Sequence, residues 1–238
     1  MTVLRALVFN VVFFCSGAVF LTLALPALLM PRGATIRVGT LWFGFVLGAL
    51  RVICGVSHEI RGRENLPPAP CIVAAKHQSA WDTFAFLTFL DDAAYVIKRE
   101  LLRIPVYGWL MSKAAMVPVD RAAGAKALRD MVRAARARIA EGRNIVIFPE
   151  GTRTAPGQRR RYHPGVAALY SQLSLPVVPV ALNSGLYWPR RSFVKRPGRI
   201  VVELLPPIPP GLSRGDFMAR LESSIEEASA RLCGPDRA

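Results

Sequence analysis

The chain has few of the residues that build metal centres and disulfide frameworks. It contains only four cysteines and three histidines: Cys15, Cys54, Cys71, Cys233, His58, His77 and His163. None of the cysteines forms a CxxC pair or has the spacing of a zinc site with a histidine. We therefore expect no metal and no disulfide framework. A metal-dependent hydrolase is disfavoured, because histidines and acidic residues do not cluster.

Acidic residues are scarce as well. Sixteen Asp and Glu stand against 31 Lys and Arg, which gives a net charge of +15, yet the mean hydropathy is positive at 0.31. The two properties separate along the chain: long apolar runs occupy the first 56 residues, and arginine clusters follow at 159–161 and 190–199. A basic body suits nucleic acid, an anionic membrane surface, or an anionic substrate or carrier. The apolar N-terminal region favours the membrane.

Residues 1–56 are predicted to be a membrane anchor of two apolar helices. Residues 6–30 carry no charge, and about 20 such residues cross a bilayer, whereas the apolar region of a signal peptide runs only about 7 to 15. The second apolar run, residues 38–50, is too short to span, so a re-entrant or interfacial segment is expected. Flanking arginines predict that the following domain lies on the cytoplasmic face of the inner membrane.

Residues 57–238 are predicted to form one α/β catalytic domain. Six apolar runs are predicted strands: 71–75, 94–97, 115–119, 144–148, 176–182 and 199–205. An apolar stripe over 126–139 and an amphipathic pattern over 214–232 predict helices. This alternation is typical of a mostly parallel sheet covered by helices. The sequence has no internal repeat and no low-complexity tract.

A histidine and an aspartate follow the first of these strands. On one continuous helix, His77 and Asp82 would point in different directions. A helix that begins at the capping-box pattern from Ser79 to Asp82 would bring the carboxylate back to the imidazole. An imidazole oriented in this way can act as a general base and activate a hydroxyl for attack on a thioester. The same spacing also occurs by chance, with the aspartate as a helix cap.

A second polar segment, FPEGTR at residues 148–153, follows the strand predicted at 144–148. It combines the flexible Gly151, the hydroxyl of Thr152 and the guanidinium of Arg153. Arginine suits bidentate phosphate binding, and the backbone amides beside Gly151 are further donors. A surface turn with a solvated arginine would have the same composition.

Four blocks together resemble the 1-acyl-sn-glycerol-3-phosphate acyltransferase family, also called lysophosphatidic acid acyltransferases. The blocks are His77-Gln78-Ser79 with Asp82, Lys98-Arg99-Glu100-Leu101 with Pro105, Gly108 and Trp109, residues 148–153, and Val178-Pro179-Val180. They occur in the family's order. One departure is Lys76, where an asparagine often precedes the histidine, and this departure bears on acceptor preference.

The resemblance implies transfer of a fatty acyl group to the sn-2 hydroxyl of lysophosphatidic acid, which gives phosphatidic acid in phospholipid biosynthesis. The donor would be acyl-CoA or acyl-acyl carrier protein, and the enzyme would contact membrane lipids. His77, oriented by Asp82, would remove the proton from the hydroxyl. Residues 178–180 would contribute to the acyl-binding wall. No cofactor and no metal are implied.

The resemblance also implies how the acceptor is bound. Lys98 and Arg153 would hold the phosphate, and Glu150, Gly151 and Thr152 would shape the pocket around it. The runner-up is a sister acyltransferase with another acceptor, such as another lysophospholipid, glycerol 3-phosphate or an acylated amino-acid lipid. A remoter alternative, a membrane-tethered nucleic-acid-binding protein, leaves the four blocks unexplained, so no nucleic-acid partner is expected.

Overall fold

A computed structural model describes residues 2–120 and 123–234, which form a seven-stranded sheet flanked by helices. The strands are β1 Val56–Arg61, β2 Ile72–Ala75, β3 Ala94–Lys98, β4 Val117–Val119, β5 Ile145–Ile147, β6 Val177–Leu182 and β7 Gly198–Leu204. The helices are α1 Thr2–Leu23, α2 Arg32–Cys54, α3 Trp81–Phe89, α4 Tyr107–Lys113, α5 Gly124–Ala140, α6 Gly165–Leu173 and α7 Arg214–Cys233.

The sheet has the strand order β1-β7-β6-β2-β5-β3-β4. The strands from β6 to β4 run parallel to one another, while β7 and β1 are parallel to each other and β7 is antiparallel to β6. The prediction of a mostly parallel α/β sheet covered by helices is confirmed. Because the carboxyl ends of parallel strands meet at one edge, the residues that follow β2, β5, β3 and β6 gather there.

The burial of the central strands explains why they could be predicted from the sequence. Every residue of β2, β5 and β6 is buried, as expected for parallel strands covered on both faces, and such strands appear as short continuous apolar runs. All six predicted strands are present. β1 was missed because it is an edge strand in which only Val56 is buried, so four polar residues hide its apolar pattern.

The two N-terminal helices form a hairpin, and both are long and apolar enough to cross a membrane by length and composition. The second helix has 23 residues and extends beyond the apolar run of residues 38–50 at both ends. Arg37 and Arg51 lie inside the helix and interrupt the uncharged run without ending it. Gly55 ends it in the left-handed region, at φ 70°, where its N–H bonds to the carbonyls of Leu50 and Arg51.

The hairpin lies against the α/β domain at both of its ends. Beside the turn between the helices, Arg32 Nη1 is 2.6 Å from Asp92 Oδ1. Near the other end, the ring of Phe9 packs edge-on against Trp188 with 5.3 Å between centroids. The outer surface of α1 remains apolar and exposed, with Phe14 69% accessible. The hairpin thus lies along the domain rather than projecting away from it.

Candidate active site

His77 and Asp82 come together where β2 ends and α3 begins. His77 Nδ1 lies 2.9 Å from Asp82 Oδ2. The same carboxylate oxygen accepts the backbone N–H groups of Gln78 at 2.7 Å and Ser79 at 2.9 Å. Asp82 is fully buried, whereas His77 retains 13% of its side-chain exposure. The Nδ1 edge of the imidazole is therefore fixed by Asp82, while part of the ring remains exposed to solvent.

The local geometry follows the capping pattern in the sequence. Ser79 Oγ accepts the N–H of Trp81 at 3.1 Å, and Asp82 in turn accepts the N–H of Ser79. Only the Asp82 half of a capping box is present, because Ser79 Oγ bonds to Trp81 and not to Asp82, and α3 begins at Trp81 with Ala80 as its N-cap. The bond from the Ser79 N–H turns the Asp82 side chain back toward the residues that precede the helix.

A serine that sequence reasoning missed completes the environment of the aspartate. Ser184, in the turn after β6, donates its hydroxyl to Asp82 Oδ1 at 2.5 Å. Next to it, the N–H of Gly185 bonds to Gln78 Oε1 at 3.0 Å. A Cβ at Gly185 would come within 2.8 Å of Pro156, so this turn requires glycine. The only signal for Ser184 was a polar residue shortly after a buried strand.

The segment after β5 covers the imidazole. The Phe148 ring stacks on His77 with centroids 4.2 Å apart and planes 21° apart. The N–H of Thr154 bonds to the His77 carbonyl at 2.7 Å. Gly151 adopts φ 66°, and its N–H bonds to the Phe148 carbonyl, so that amide is not available to a ligand. The segment therefore fixes both the imidazole ring of His77, by stacking, and its backbone carbonyl, by a hydrogen bond.

The two predicted pocket residues Thr152 and Arg153 lie in this segment and are partly exposed. Arg153 has a lowered pKa, first because of burial and then because of the positive charges of Arg190 and Arg191; Asp82 acts in the opposite direction. The guanidinium thus lies in a strongly positive region near the dyad.

Glu150 is turned inward, and its side chain is fully buried. Its Oε2 accepts the N–H of His77 at 2.8 Å, and its Oε1 lies 2.8 Å from Lys76 Nζ. Lys76 also pairs with Glu226 of α7 at 2.7 Å, and the Tyr162 hydroxyl donates to Glu226 at 2.8 Å. Burial raises the pKa of Glu150, although Lys76 opposes this. Glu150 thus holds the backbone of His77 from inside the domain, and its part in shaping the phosphate pocket stays a prediction.

Lys98 lies at the expected edge of the sheet but apart from the dyad. It ends β3, which is separated from β2 by β5, and two strand spacings amount to about 10 Å. Its ammonium pairs with Glu100 at 3.1 Å, and both side chains are half exposed. The structure does not bring Lys98 into contact with His77 or Arg153, and its role stays a prediction.

An apolar cavity of about 400 Å³ lies between the hairpin and the domain. Its lining comes from α1, α2, α3, β3 and α4, and includes Phe13, Trp42, Phe84, Tyr95 and Tyr107. The expected wall residues Val178 and Val180 lie instead in the buried centre of β6 and do not line it. The cavity can hold an apolar chain.

Within residues 2–120 and 123–234, no group of three or more His, Cys, Asp or Glu side chains could hold a metal ion. The acidic groups around His77 are committed to other partners, because Asp82 bonds to Ser184 and the main chain, and Glu150 to Lys76.

Comparison with known proteins identifies the family of this chain. A family model described as Acyltransferase matches residues 57–183. The chain is 38% identical over 165 residues to 1-acyl-sn-glycerol-3-phosphate acyltransferase of Pseudomonas aeruginosa, covering 69% of this chain and 64% of that protein. It is 32% identical over 206 residues to the protein of the same name from Limnanthes alba, covering 83% and 72%. The match to the Pseudomonas protein thus spans a little less than two thirds of that protein's length.

The fold also matches a solved structure. The crystal structure of the 1-acyl-sn-glycerophosphate acyltransferase from Thermotoga maritima superposes with a TM-score of 0.78 at 23% identity, covering 98% of both chains. The resemblance drawn from four sequence blocks is confirmed by the family model and the relatives. The chain belongs to the acyltransferase family.

Proposed function

We propose that the chain transfers a fatty acyl group from an acyl thioester to the sn-2 hydroxyl of lysophosphatidic acid, giving phosphatidic acid. The observation that carries the proposal is the His77–Asp82 pair, held at 2.9 Å at the sheet edge that also carries Arg153. The names of the relatives support the acceptor, since the Pseudomonas and Limnanthes proteins are both called 1-acyl-sn-glycerol-3-phosphate acyltransferases.

In this reaction His77 acts as the general base. The Asp82 carboxylate accepts a hydrogen bond from His77 Nδ1–H, so the proton lies on that nitrogen and the lone pair of Nε2 is free. Nε2 takes the proton of the acceptor hydroxyl while the oxygen attacks the thioester carbonyl. Collapse of the tetrahedral intermediate breaks the C–S bond, and the imidazolium returns the proton to the departing thiolate. Asp82 stabilises the imidazolium formed between these steps, so no covalent acyl-enzyme is needed.

The apolar cavity provides a place for the acyl chain of the donor. Burial of each methylene contributes about 0.8 kcal/mol, so an aromatic and aliphatic lining of this size binds a fatty chain without polar contacts. Acyl-CoA and acyl-acyl carrier protein present the same thioester and chain. Both are proposed as donors, and separate assays with each distinguish them.

The hairpin is proposed to hold the enzyme at the inner membrane. Residues 1–56 form the anchor, and residues 57–238 form the catalytic domain on the cytoplasmic face. Contacts at both ends of the hairpin, together with the exposed apolar side of α1, support entry into the bilayer alongside the domain. This arrangement places the active site next to the membrane surface, where a lysolipid lies.

The proposal is tested with a labelled acyl group supplied as acyl-CoA or as acyl-acyl carrier protein, and with lysophosphatidic acid as acceptor. Wild type is expected to form phosphatidic acid, and His77→Ala to lose about 10²- to 10⁴-fold in kcat, the usual contribution of a general base. His163→Ala is the matched control, because His163 is exposed.

Either of two results would contradict the proposal. Activity retained in His77→Ala would remove the general-base mechanism. Wild type that ignores lysophosphatidic acid but acylates a phosphate-free lysolipid would show that the acceptor is wrong.

A further inference from the structure

A second groove, of about 330 Å³, lies between α1 and the loop that leads into β7. Three cationic side chains line it: Arg153, Arg191 and Lys195. Among the described residues that line this groove, none is Asp or Glu. The rest of its wall is largely aromatic and includes Phe13, Phe14, Trp188 and Phe193. The groove thus combines a positive end with an apolar side.

The two arginines of the groove have no carboxylate partner. Within residues 2–120 and 123–234, neither Arg153 nor Arg191 takes part in an ion pair. The neighbouring Arg190 donates to the Arg153 carbonyl at 3.1 Å, which adds a third guanidinium. Burial and these two neighbours lower the pKa of Arg153. Like charges held together in this way favour a bound anion.

The lysine of the groove is buried, unlike Arg191, which is exposed. Lys195 is only 4% exposed, and its ammonium donates to neutral acceptors, Asn10 Oδ1 at 2.6 Å and the Phe193 carbonyl at 3.0 Å. Buried charges in proteins are normally paired with an opposite charge. The hydrogen bond to Asn10 also ties α1 to the loop, so the same residue fixes both walls of the groove.

Arg191 has an uncommon backbone for its residue type. Its φ is 57°, in the left-handed region that glycine and asparagine adopt most readily. Next to it, the Ser192 hydroxyl bonds to the Val194 carbonyl at 3.1 Å and stabilises the turn. Residues held in such conformations occur frequently at ligand clamps.

We propose that Arg191 joins Arg153, whose phosphate-binding role the family resemblance already implies, so that the phosphate monoester of the lysolipid acceptor lies between the two guanidiniums and its acyl chain against Phe14 and Phe193. Arg191 is then the residue that makes the enzyme selective for a phosphate head group. Two guanidinium groups can each donate a pair of hydrogen bonds to the oxygens of a phosphate dianion. A phosphate-free head group lacks these oxygens. This inference rests on the proposed function and deepens it.

The position of the groove fits the reaction. Phe13 lines both this groove and the apolar cavity assigned to the donor chain, so the two lipid chains lie on either side of one α1 residue. Phe14 and Phe193 are 69% and 48% exposed, which leaves the apolar side of the groove open toward the proposed bilayer. A lysolipid can therefore enter from the membrane with its head group at the arginines.

The test compares Arg191→Asn with Arg196→Asn. Asparagine tolerates the left-handed backbone of position 191, and Arg196 is an exposed arginine of the same loop outside the groove, so both variants lose one charge. Arg191→Asn is expected to raise the KM for lysophosphatidic acid about tenfold or more, the effect of losing a charge-assisted hydrogen bond. Arg196→Asn should leave the KM for lysophosphatidic acid at the wild-type value.

A binding measurement separates this inference from the proposed function. In the His77→Ala background, which binds without turnover, Arg191→Asn is expected to weaken lysophosphatidic acid binding by the same factor, and Arg191→Lys to recover part of it. If wild type makes phosphatidic acid but Arg191→Asn neither binds lysophosphatidic acid more weakly nor raises its KM, the groove assignment is overturned and the function stands. If wild type uses only phosphate-free acceptors, both are overturned.

Discussion

The buried ion cluster behind His77 allows a sharp prediction for Lys76→Met. Lys76 is 2% exposed and holds two carboxylates, Glu150 at 2.8 Å and Glu226 at 2.7 Å. Methionine fills a similar volume but carries no charge. The variant therefore leaves two buried carboxylates without their cation, while the packing of the surrounding core stays nearly the same.

The expected cost is large for a domain of this size. Removal of one partner from a buried ion pair costs about 3 to 5 kcal/mol, against a total stability of about 5 to 15 kcal/mol. For a chain of this length, such a cost lowers Tm by about 6 to 20 °C. Lys126→Met is the control, because Lys126 is exposed on α5 and its loss should cost no more than about 0.5 kcal/mol.

The pH dependence identifies the cause of this loss. Burial already raises the pKa of Glu150, and removal of Lys76 takes away the charge that opposes the rise. A carboxyl group with a raised folded-state pKa destabilises the fold increasingly as pH rises above its unfolded value, about 4.3. The Tm deficit of Lys76→Met should thus be small below pH 4 and fully present at neutral pH.

Loss of the ion cluster in Lys76→Met should also lower the enzymatic activity. Glu150 accepts the His77 N–H, so a displaced Glu150 shifts the base, and we expect kcat to fall while the KM for lysophosphatidic acid changes little. The double variant Lys76→Met/Glu226→Gln should recover about 0.5 to 3 kcal/mol relative to additivity. A Tm deficit of equal size at pH 4 and pH 7 would show that packing, and not charge, explains the loss, and would refute this reasoning.

Two further predictions concern groups around the dyad. Ser184→Ala removes the hydrogen bond to Asp82 Oδ1, so it should cost about 1.5 to 3 kcal/mol in urea unfolding and lower kcat; unchanged kcat would mean that Asp82 does not need this donor. In Glu150→Gln, a group whose folded pKa is raised is lost, so the stability of wild type relative to this variant should decrease as pH rises from 4.5; a difference that is constant from pH 4 to 8 in a Tm series would contradict the raised pKa.

The sequence predicted the parts of the fold that depend on local pattern. The strands β2, β5 and β6 are buried on both faces, and the capping pattern at Ser79 turns Asp82 toward His77. Both are encoded within a few residues. The edge strand β1 and the full length of α2 were not predicted, because polar or charged residues inside these elements interrupt the apolar runs.

Contacts between distant segments could not be predicted in the same way. Ser184 lies 102 positions from Asp82, and Glu226 lies 150 positions from Lys76. Lys76 was expected to bear on acceptor preference, and this stays a prediction; its side chain is buried and pairs with Glu226 of α7. The His77 side chain is 13% exposed, whereas that of Lys76 is 2% exposed.

The arrangement of the site explains why the apolar N-terminal hairpin and the α/β domain occur in one chain. Asp82, Glu150 and Ser184 fix the base from inside the domain, where burial keeps them in place. The walls that would contact lipid come from both parts, because Phe13 of α1 borders both cavities while Arg153 and Arg191 come from domain loops. A rigid base combined with cavities shared between two parts allows one site to accept two lipid chains at once. The hairpin is therefore part of the proposed substrate-binding structure as well as the proposed anchor.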